Sequence, residues 1–267
     1  MAFKQQIAQH EPCVGTWVTF GDPAISELLG QAGFDFLLYD MEHAPISLES
    51  LQNHFMALNG MAIPAIVRLP RDDPSYAKWV LDIGASGVLI PNVHTAADVR
   101  QAVEHAKYPP QGVRGIGPRR PGKYGREVEN YIAAANEDVI IIAQIENRTA
   151  VRNAEEILQV EGLSGIFFGP NDLSADMGLF PQTSHPDVVA AMDRVTQEAI
   201  RQGVPVGQWS LDAEAAREWA QKGVAFTVLS MDYIFLANSV DKQVAGTRKV
   251  LEEVAARRSA EARASSG

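Results

Sequence analysis

The sequence predicts one α/β domain closed into a (β/α)8 TIM barrel with an extended C-terminal helix, and three observations carry that reading. Apolar, β-branched runs alternate eight times with stretches of helical period. The runs show little polar alternation, as expected of strands buried on both faces of a parallel sheet. The chain has 267 residues and is 46% hydrophobic, enough for a single barrel of about 250 residues.

The elements follow in order. "CVGTWVTF" (13–20) precedes a helix that opens at "GDPAISELLGQAG". "FDFLLYDME" (34–42) precedes "SLESLQNHFMALNG", where Ser47 is placed as N-cap and Glu49 falls one residue short of the capping-box spacing. "AIPAIVRLP" (62–70) precedes "DDPSYAKWVLDIG", with Asp and Pro as a helix start and Gly84 as its stop. "GVLIPNV" (87–93) leads into "TAADVRQAVEHAK", and "VIIIAQIEN" (139–147) into "RTAVRNAEEILQVEG". "LSGIFFGPNDL" (163–173) leads into "HPDVVAAMDRVTQEAIRQG", and "VPVGQW" (204–209) into "DAEAAREWAQKG". "AFTVLSMD" (225–232) leads into a long helix from Tyr233.

No composition break divides these units, so one domain spans 1–267, with about 255–267 expected as a frayed, solvated tail. No G-x-G-x-x-G follows the first strand, which sets aside a doubly wound dinucleotide fold. Residues 108–138 form the one long interruption, rich in Gly, Pro and Arg. A loop of that length is usually functional or disordered; a surface excursion or a subunit contact is the plainer alternative.

Charge and cysteine content narrow the function. The chain carries 33 acidic and 23 basic residues, a net charge of −10, which argues against nucleic acid or an anionic membrane as partner. A single cysteine, Cys13, allows no internal disulfide, reads as a small buried hydrophobe, and suits a reducing cytoplasm. The first thirty residues lack the basic start and apolar core of a secretory signal. No window approaches the roughly 18 consecutive apolar residues of a membrane span.

Barrel enzymes place their chemistry at the C-terminal ends of the strands. There stand Asp40, Glu42 and His43 after the second strand, Arg68 after the third, Gln144 and Glu146 after the fifth, and Asp172 after the sixth. Gln144 and Glu146 share a face because side chains alternate along a strand. Glu146 and Asp172 lie one βα unit apart, which places them on neighbouring strands at similar height. Two such carboxylates beside an amide suit a hard divalent cation with positions open to water and substrate; a helix cap or a pairing with arginine is the alternative. Arg68 is suited to clamp a carboxylate or stabilise an enolate oxygen, or else forms a rim salt bridge. His43 is the best-placed general base, because imidazole is the side chain suited to proton transfer near neutral pH; a satisfied rim histidine is the alternative. His94 is a reserve. None of the seven lysines lies in a strand, which argues against a Schiff-base aldolase. The loops after strands seven and eight lack the glycines of a barrel phosphate site.

The stretches "YDMEHAP", "VRLP", "YPPQGVRGIGP", "AQIEN" and "FFGPNDLSADMG", in this order and spacing, resemble the HpcH/HpaI family of metal-dependent pyruvate aldolases from about residue 13 to about 240. The resemblance implies a class II aldolase that reversibly cleaves 4-hydroxy-2-oxo acids to pyruvate and an aldehyde, through a pyruvate enolate at a divalent metal (Mg2+, Mn2+ or Co2+). It implies Glu146 and Asp172 as metal ligands, with Gln144, Asp172 and the backbone at Asn171 contacting pyruvate. Arg68 would stabilise the enolate, and His43 would accept the proton directly or through a water. The family's aspartate that strengthens the histidine as a base matches Asp82.

Asp82 ends a helix at the wrong end of the barrel for its own His43, so it reaches that residue only from a neighbouring subunit. The expectation is therefore a homo-oligomer, hexameric or trimer-based, with sites near interfaces; Asp40 is the in-chain alternative. Met41 stands where relatives often have glycine, and Pro118 stands where some members place a serine. The expected partners are a small 2-oxo acid and an aldehyde, in aromatic-compound or sugar-acid catabolism. Competing readings are a citrate-lyase-like or malyl-CoA-type lyase of the same superfamily, and a barrel that binds a keto acid without chemistry.

Overall fold

A computed structural model describes residues 2–70 and 73–265. Eight parallel strands, β1 (Cys13–Val18), β2 (Phe36–Asp40), β3 (Ala65–Arg68), β4 (Gly87–Ile90), β5 (Ile140–Ile145), β6 (Gly165–Phe168), β7 (Val206–Ser210) and β8 (Phe226–Met231), close in chain order. Each strand lies inside the run expected for it, except that β7 extends one residue further, to Ser210. The helices around them are α1 (Ala2–Ala8), α2 (Pro23–Gly30), α3 (Leu48–Ala57), α4 (Tyr76–Asp82), α5 (Ala96–Ala106) and α6 (Val128–Asp138). There follow α7 (Arg148–Arg152), α8 (Ala154–Leu158), α9 (Pro170–Asp176), α10 (Pro186–Gln202), α11 (Ala213–Gln221) and α12 (Asp232–Ala264).

Short polar side chains start the helices on the mouth side. Ser47 accepts from Ser50 N at 3.1 Å, and Thr95 and Asp98 form a reciprocal capping box on α5. Such caps contribute about 1 kcal/mol each. Gly84, with φ +117, ends α4 as expected. Asp73 accepts from Ser75 N at 2.9 Å before α4, while Asp72 lies outside the described residues.

Two apolar layers hold the barrel. Val67, Val88, Ile141 and Ile166 face outward under the helices, and Leu38, Ile66, Leu89, Ile142 and Phe167 fill the interior. At the N-terminal ends of the strands the interior is sealed by aromatics: Phe3 of α1 stacks on Phe36 at 4.2 Å and meets Phe226 edge-on at 6.0 Å. Glycines make that room, since a Cβ on Gly207 would fall 2.1 Å from the Phe226 ring and one on Gly15 would fall 2.5 Å from the Phe36 ring. Sequence periodicity gave no sign of α1, because its seven residues are too few to display a helical stripe.

Residues 108–138 contain α6 and run under the floor of the barrel: Arg119 N donates to Asp82 O at 3.1 Å, and Arg120 donates to Phe55 O at 3.2 Å. The long interruption, whose route the sequence left open, thus passes at the end of the barrel away from the mouth. The solvated helix end expected from about 255 is helical through Ala264 and exposed along its described length. The eighth helix does not pack back on its own barrel: of its described side chains only Asp232 is buried, and Tyr233, Leu236, Val240, Val244, Leu251 and Val254 are exposed.

Candidate active site

The β2–β3 register puts Asp40 directly opposite Arg68 at the mouth. Arg68 Nε donates to Asp40 Oδ1 at 3.0 Å and Nη2 to Oδ2 at 2.6 Å, a fork that fixes both planes. Below, the guanidinium stacks on Trp17 at 4.4 Å; on its free edge Nη1 lies 3.3 Å from Glu42 Oε2. Asp40 Oδ1 also accepts from the backbone N–H of Glu42 at 3.0 Å and of His43 at 3.1 Å, which folds the loop over the strand end. Burial opposes the Asp40 charge, but the Arg68 fork and the two amides outweigh it and hold the carboxyl below its usual range. Glu42 Oε2 lies 3.6 Å from His43 Nε2. Burial raises the Glu42 carboxyl against the pull of Arg68.

Asp40 therefore reaches His43 only through the main chain. The in-chain carboxylate beside the imidazole is Glu42, a residue the sequence reading left without a role. Its signal was its position next to His43 at a strand end, and register alone revealed the bridge to Arg68.

Glu146 stands just past β5, 6% exposed. Its Oε1 accepts from Asn92 N and its Oε2 from Gln144 Nε2, both at 2.5 Å. Asn92 adopts φ +51, a left-handed turn that aims its N–H at Glu146. Burial, and then the charges of Asp172 and Glu42, push Glu146 up to about 7 despite the Asn92 bond. Asp172 lies in the first turn of α9, not at the end of a strand, because Gly169 and Pro170 end β6 and start the helix. It and Asn171 are exposed. Glu42, His43, Asn92, His94, Glu146, Asn147, Asp172 and Asp176 line one cavity of about 450 Å³.

These residues fit a divalent cation. Four carboxylates, Glu42, Glu146, Asp172 and Asp176, line one cavity with no lysine or arginine among its lining residues, and the charges of Asp172 and Glu42 add to burial in raising Glu146. Gln144 Oε1 is buried without a partner. Gly169 leaves space beside them, since a Cβ there would fall 2.5 Å from Glu146 Oε2 and 2.8 Å from Gln144 Nε2. Among the described residues no three His, Cys, Asp or Glu side chains stand close enough to ligate an ion unaided. The fitting ion is one that keeps water and substrate oxygens in its shell, as magnesium does.

Of the residues singled out from sequence, His43, Arg68, Gln144, Glu146, Asn171 and Asp172 gather at the mouth. Asp82 does not. It ends α4 at the floor, where Arg114 Nη2 binds its Oδ1 at 2.7 Å. Asp232, also unassigned from sequence, is buried at the start of α12 and accepts from Thr19 N at 2.7 Å and Phe20 N at 2.9 Å, securing the β1–α2 loop.

Comparison with known proteins agrees with this fold. The family described as HpcH/HpaI aldolase/citrate lyase matches residues 14–239. A 5-keto-4-deoxy-D-glucarate aldolase of Klebsiella pneumoniae subsp. pneumoniae is 37% identical over 230 residues, 86% of this chain and 90% of the relative. The crystal structure of an HpcH/HpaI aldolase/citrate lyase family protein from Burkholderia cenocepacia superposes with a TM-score of 0.88 at 32% identity, covering 92% of this chain and 99% of that one. An HpcH/HpaI aldolase from Desulfitobacterium hafniense superposes with a TM-score of 0.84 at 31% identity, covering 92% and 96%.

Proposed function

The chain belongs to the HpcH/HpaI aldolase/citrate lyase family, and from that premise we propose that its mouth breaks and forms the C3–C4 bond of 4-hydroxy-2-oxo acids, with pyruvate on one side and an aldehyde on the other. It is a carbon–carbon lyase, a class II aldolase. The observation that carries the residue assignment is the shared cavity of His43, Glu42, Glu146 and Asp172, with Arg68 locked at its edge.

Glu146 and Asp172 hold the divalent metal, Mg2+, Mn2+ or Co2+, which when bound supplies a Lewis acid for the 2-oxo group. Gln144, Asp172 and the backbone at Asn171 bind the pyruvate half. His43 takes the proton from the C4 hydroxyl; the C3–C4 electron pair passes into the pyruvate enolate as the aldehyde leaves. The same imidazole, now protonated, returns a proton to C3. Arg68 stabilises the charge that develops on the enolate oxygen. It enters the reaction already aligned, because Asp40 and Trp17 fix its plane, so little reorganisation is left for the transition state. The 5-keto-4-deoxy-D-glucarate activity named for the Klebsiella relative favours a sugar-acid substrate.

The site lies beside a subunit interface. The exposed apolar residues Tyr233, Leu236, Val240 and Val244 of α12 recur every three or four positions, a stripe that a second copy of the chain covers. In such an oligomer Asp82 of one subunit orients His43 of the next, since the two lie at opposite ends of one barrel. The buried, unpaired Cys13 suits a reducing cytoplasm.

The test is pyruvate release from several 4-hydroxy-2-oxo acids after chelation and after re-addition of Mg2+, Mn2+ or Co2+. Release only with metal, and fastest with sugar-acid substrates, is the expected outcome. Turnover that requires acetyl-CoA would instead mark a citrate-lyase-like enzyme.

A further inference from the structure

Arg114, in the segment between α5 and α6, is placed by its own backbone. Val113 N donates to Glu104 O at 2.8 Å and Arg114 N to Lys107 O at 2.9 Å. Gly112 permits that approach, since a Cβ there would fall 2.4 Å from both carbonyl oxygens. The guanidinium lies over Tyr108 at 4.4 Å and Tyr131 at 5.8 Å, and Nη2 donates to Asp82 Oδ1 at 2.7 Å and to the Tyr131 hydroxyl at 3.2 Å. The Arg114 side chain is 1% exposed and that of Asp82 is 20% exposed. Beside Asp82 Oδ2 stands Gly117, which has no side chain to cover it.

We infer that Arg114 is the positioning residue that aims Asp82: it holds one carboxylate oxygen from inside and leaves the other at the surface for a neighbouring subunit. The inference rests on the reading that Asp82 acts in trans on His43. A buried ion pair is a poor source of stability in itself. A carboxylate gripped by a stacked, planar guanidinium has little rotamer freedom left to lose when it meets a partner. That suits a residue which must be ready before assembly.

The test is a double-mutant cycle on the intact oligomer: Arg114→Lys, Asp82→Asn, and both together. Arg114→Lys should keep its KM and lose kcat on the order of tenfold, and the double variant should be no slower than Asp82→Asn alone. Mixing Arg114→Lys chains with His43→Ala chains should recover activity, because intact His43 then meets intact Asp82 and Arg114. Additive kcat losses in the double variant would make Arg114 a fold staple and overturn the proposal. So would full kcat in Arg114→Lys beside a slow Asp82→Asn, which leaves the trans reading standing. A fully active Asp82→Asn, or hybrids that form without recovering activity, would overturn the trans reading and the proposal with it. If Arg114→Lys does not fold, Tyr131→Phe removes only the 3.2 Å bond; its smaller kcat loss should vanish in the Asp82→Asn background, and persistence there counts against the proposal.

Discussion

At the floor of the barrel Phe3 stacks on Phe36, both meet Phe226 edge-on, and Gly15 and Gly207 stand where a side chain would collide with a ring. At the mouth, a few residues further along the same strands, Asp40, Arg68, Gln144 and Glu146 are equally buried but charged or polar, and Gln144 Oε1 has no partner. Apolar packing favours the folded state at the floor, at about 1.5–3 kcal/mol for each fully buried ring. At the mouth, burial works against the charges and is offset only in part, as the upward shift of Glu146 records. The two ends also use one device differently. Arg68 and Arg114 each hold an aspartate and stack on an aromatic ring. Arg68, however, turns its third edge to the cavity through Glu42, while Arg114 is closed off and only its aspartate reaches the surface. Stability is concentrated where the interior is dry and filled; chemistry is concentrated where it is left charged.

The sharpest way to break that contrast is at the metal site. Glu146→Ala or Asp172→Ala should abolish pyruvate release and metal binding by calorimetry while the melting temperature changes little. Full activity in excess EDTA, or a borohydride-trapped pyruvate adduct, would rule out the metal assignment.

Next comes Arg68, where both functions meet. Arg68→Ala should lower kcat roughly 10²–10³-fold, more than it raises KM. Because it also leaves Asp40 buried without its counter-charge, denaturant unfolding should show a loss of about 3–5 kcal/mol. Lysine should restore only part of either, lacking the planar fork. An effect confined to KM would make Arg68 a ground-state clamp.

The floor should answer in the opposite sense. Phe3→Ala should cost about 3–5 kcal/mol, and Gly207→Ala, which drives a methyl group into the Phe226 ring, about 1–3 kcal/mol. Assayed well below the melting temperature, both should retain the kcat of the parent. A fall in kcat at the floor, with Asp82 and Arg114 untouched, would show that the two ends are not independent.

The smallest effect concerns His54, wholly buried between α2 and α3, with Nδ1 2.8 Å from Ser26 Oγ, which also meets the Tyr39 hydroxyl at 2.7 Å. Burial lowers its pKa below 6.5, against the pull of Asp22 and Asp232. The unfolded chain therefore binds this proton first. The stability His54 contributes is present above pH 6.5 and is lost as pH falls through its lowered folded value. His54→Gln should flatten that acid slope in chemical denaturation; an unchanged slope would assign it to other groups.

Much of this was legible in the chain itself. The eight strands were, because alternation and β-branching act over a few residues. Asp172 was singled out as a candidate but placed at a strand end, because the sequence did not show that Gly169 and Pro170 end β6 before it. Glu42 was visible as a carboxylate beside His43, yet its link to Arg68 depends on a contact between residues 26 apart in sequence. The route of the floor segment 108–138 stayed open, because a Gly- and Pro-rich stretch does not reveal which end of a barrel it crosses.

The sequence by itself determined the architecture, the candidate ligands and the absence of a wall lysine, since these follow from residue type and local periodicity. Tertiary structure decided which oxygen meets which cation. It gave Asp40 to Arg68 through strand register, Glu42 to the imidazole through the turn that Asp40 folds, and Asp82 to Arg114 at the far end. The physical reason is range: periodicity is set by neighbours along the chain, whereas an ion pair needs two groups within about 4 Å, and only closure of the barrel brings them there.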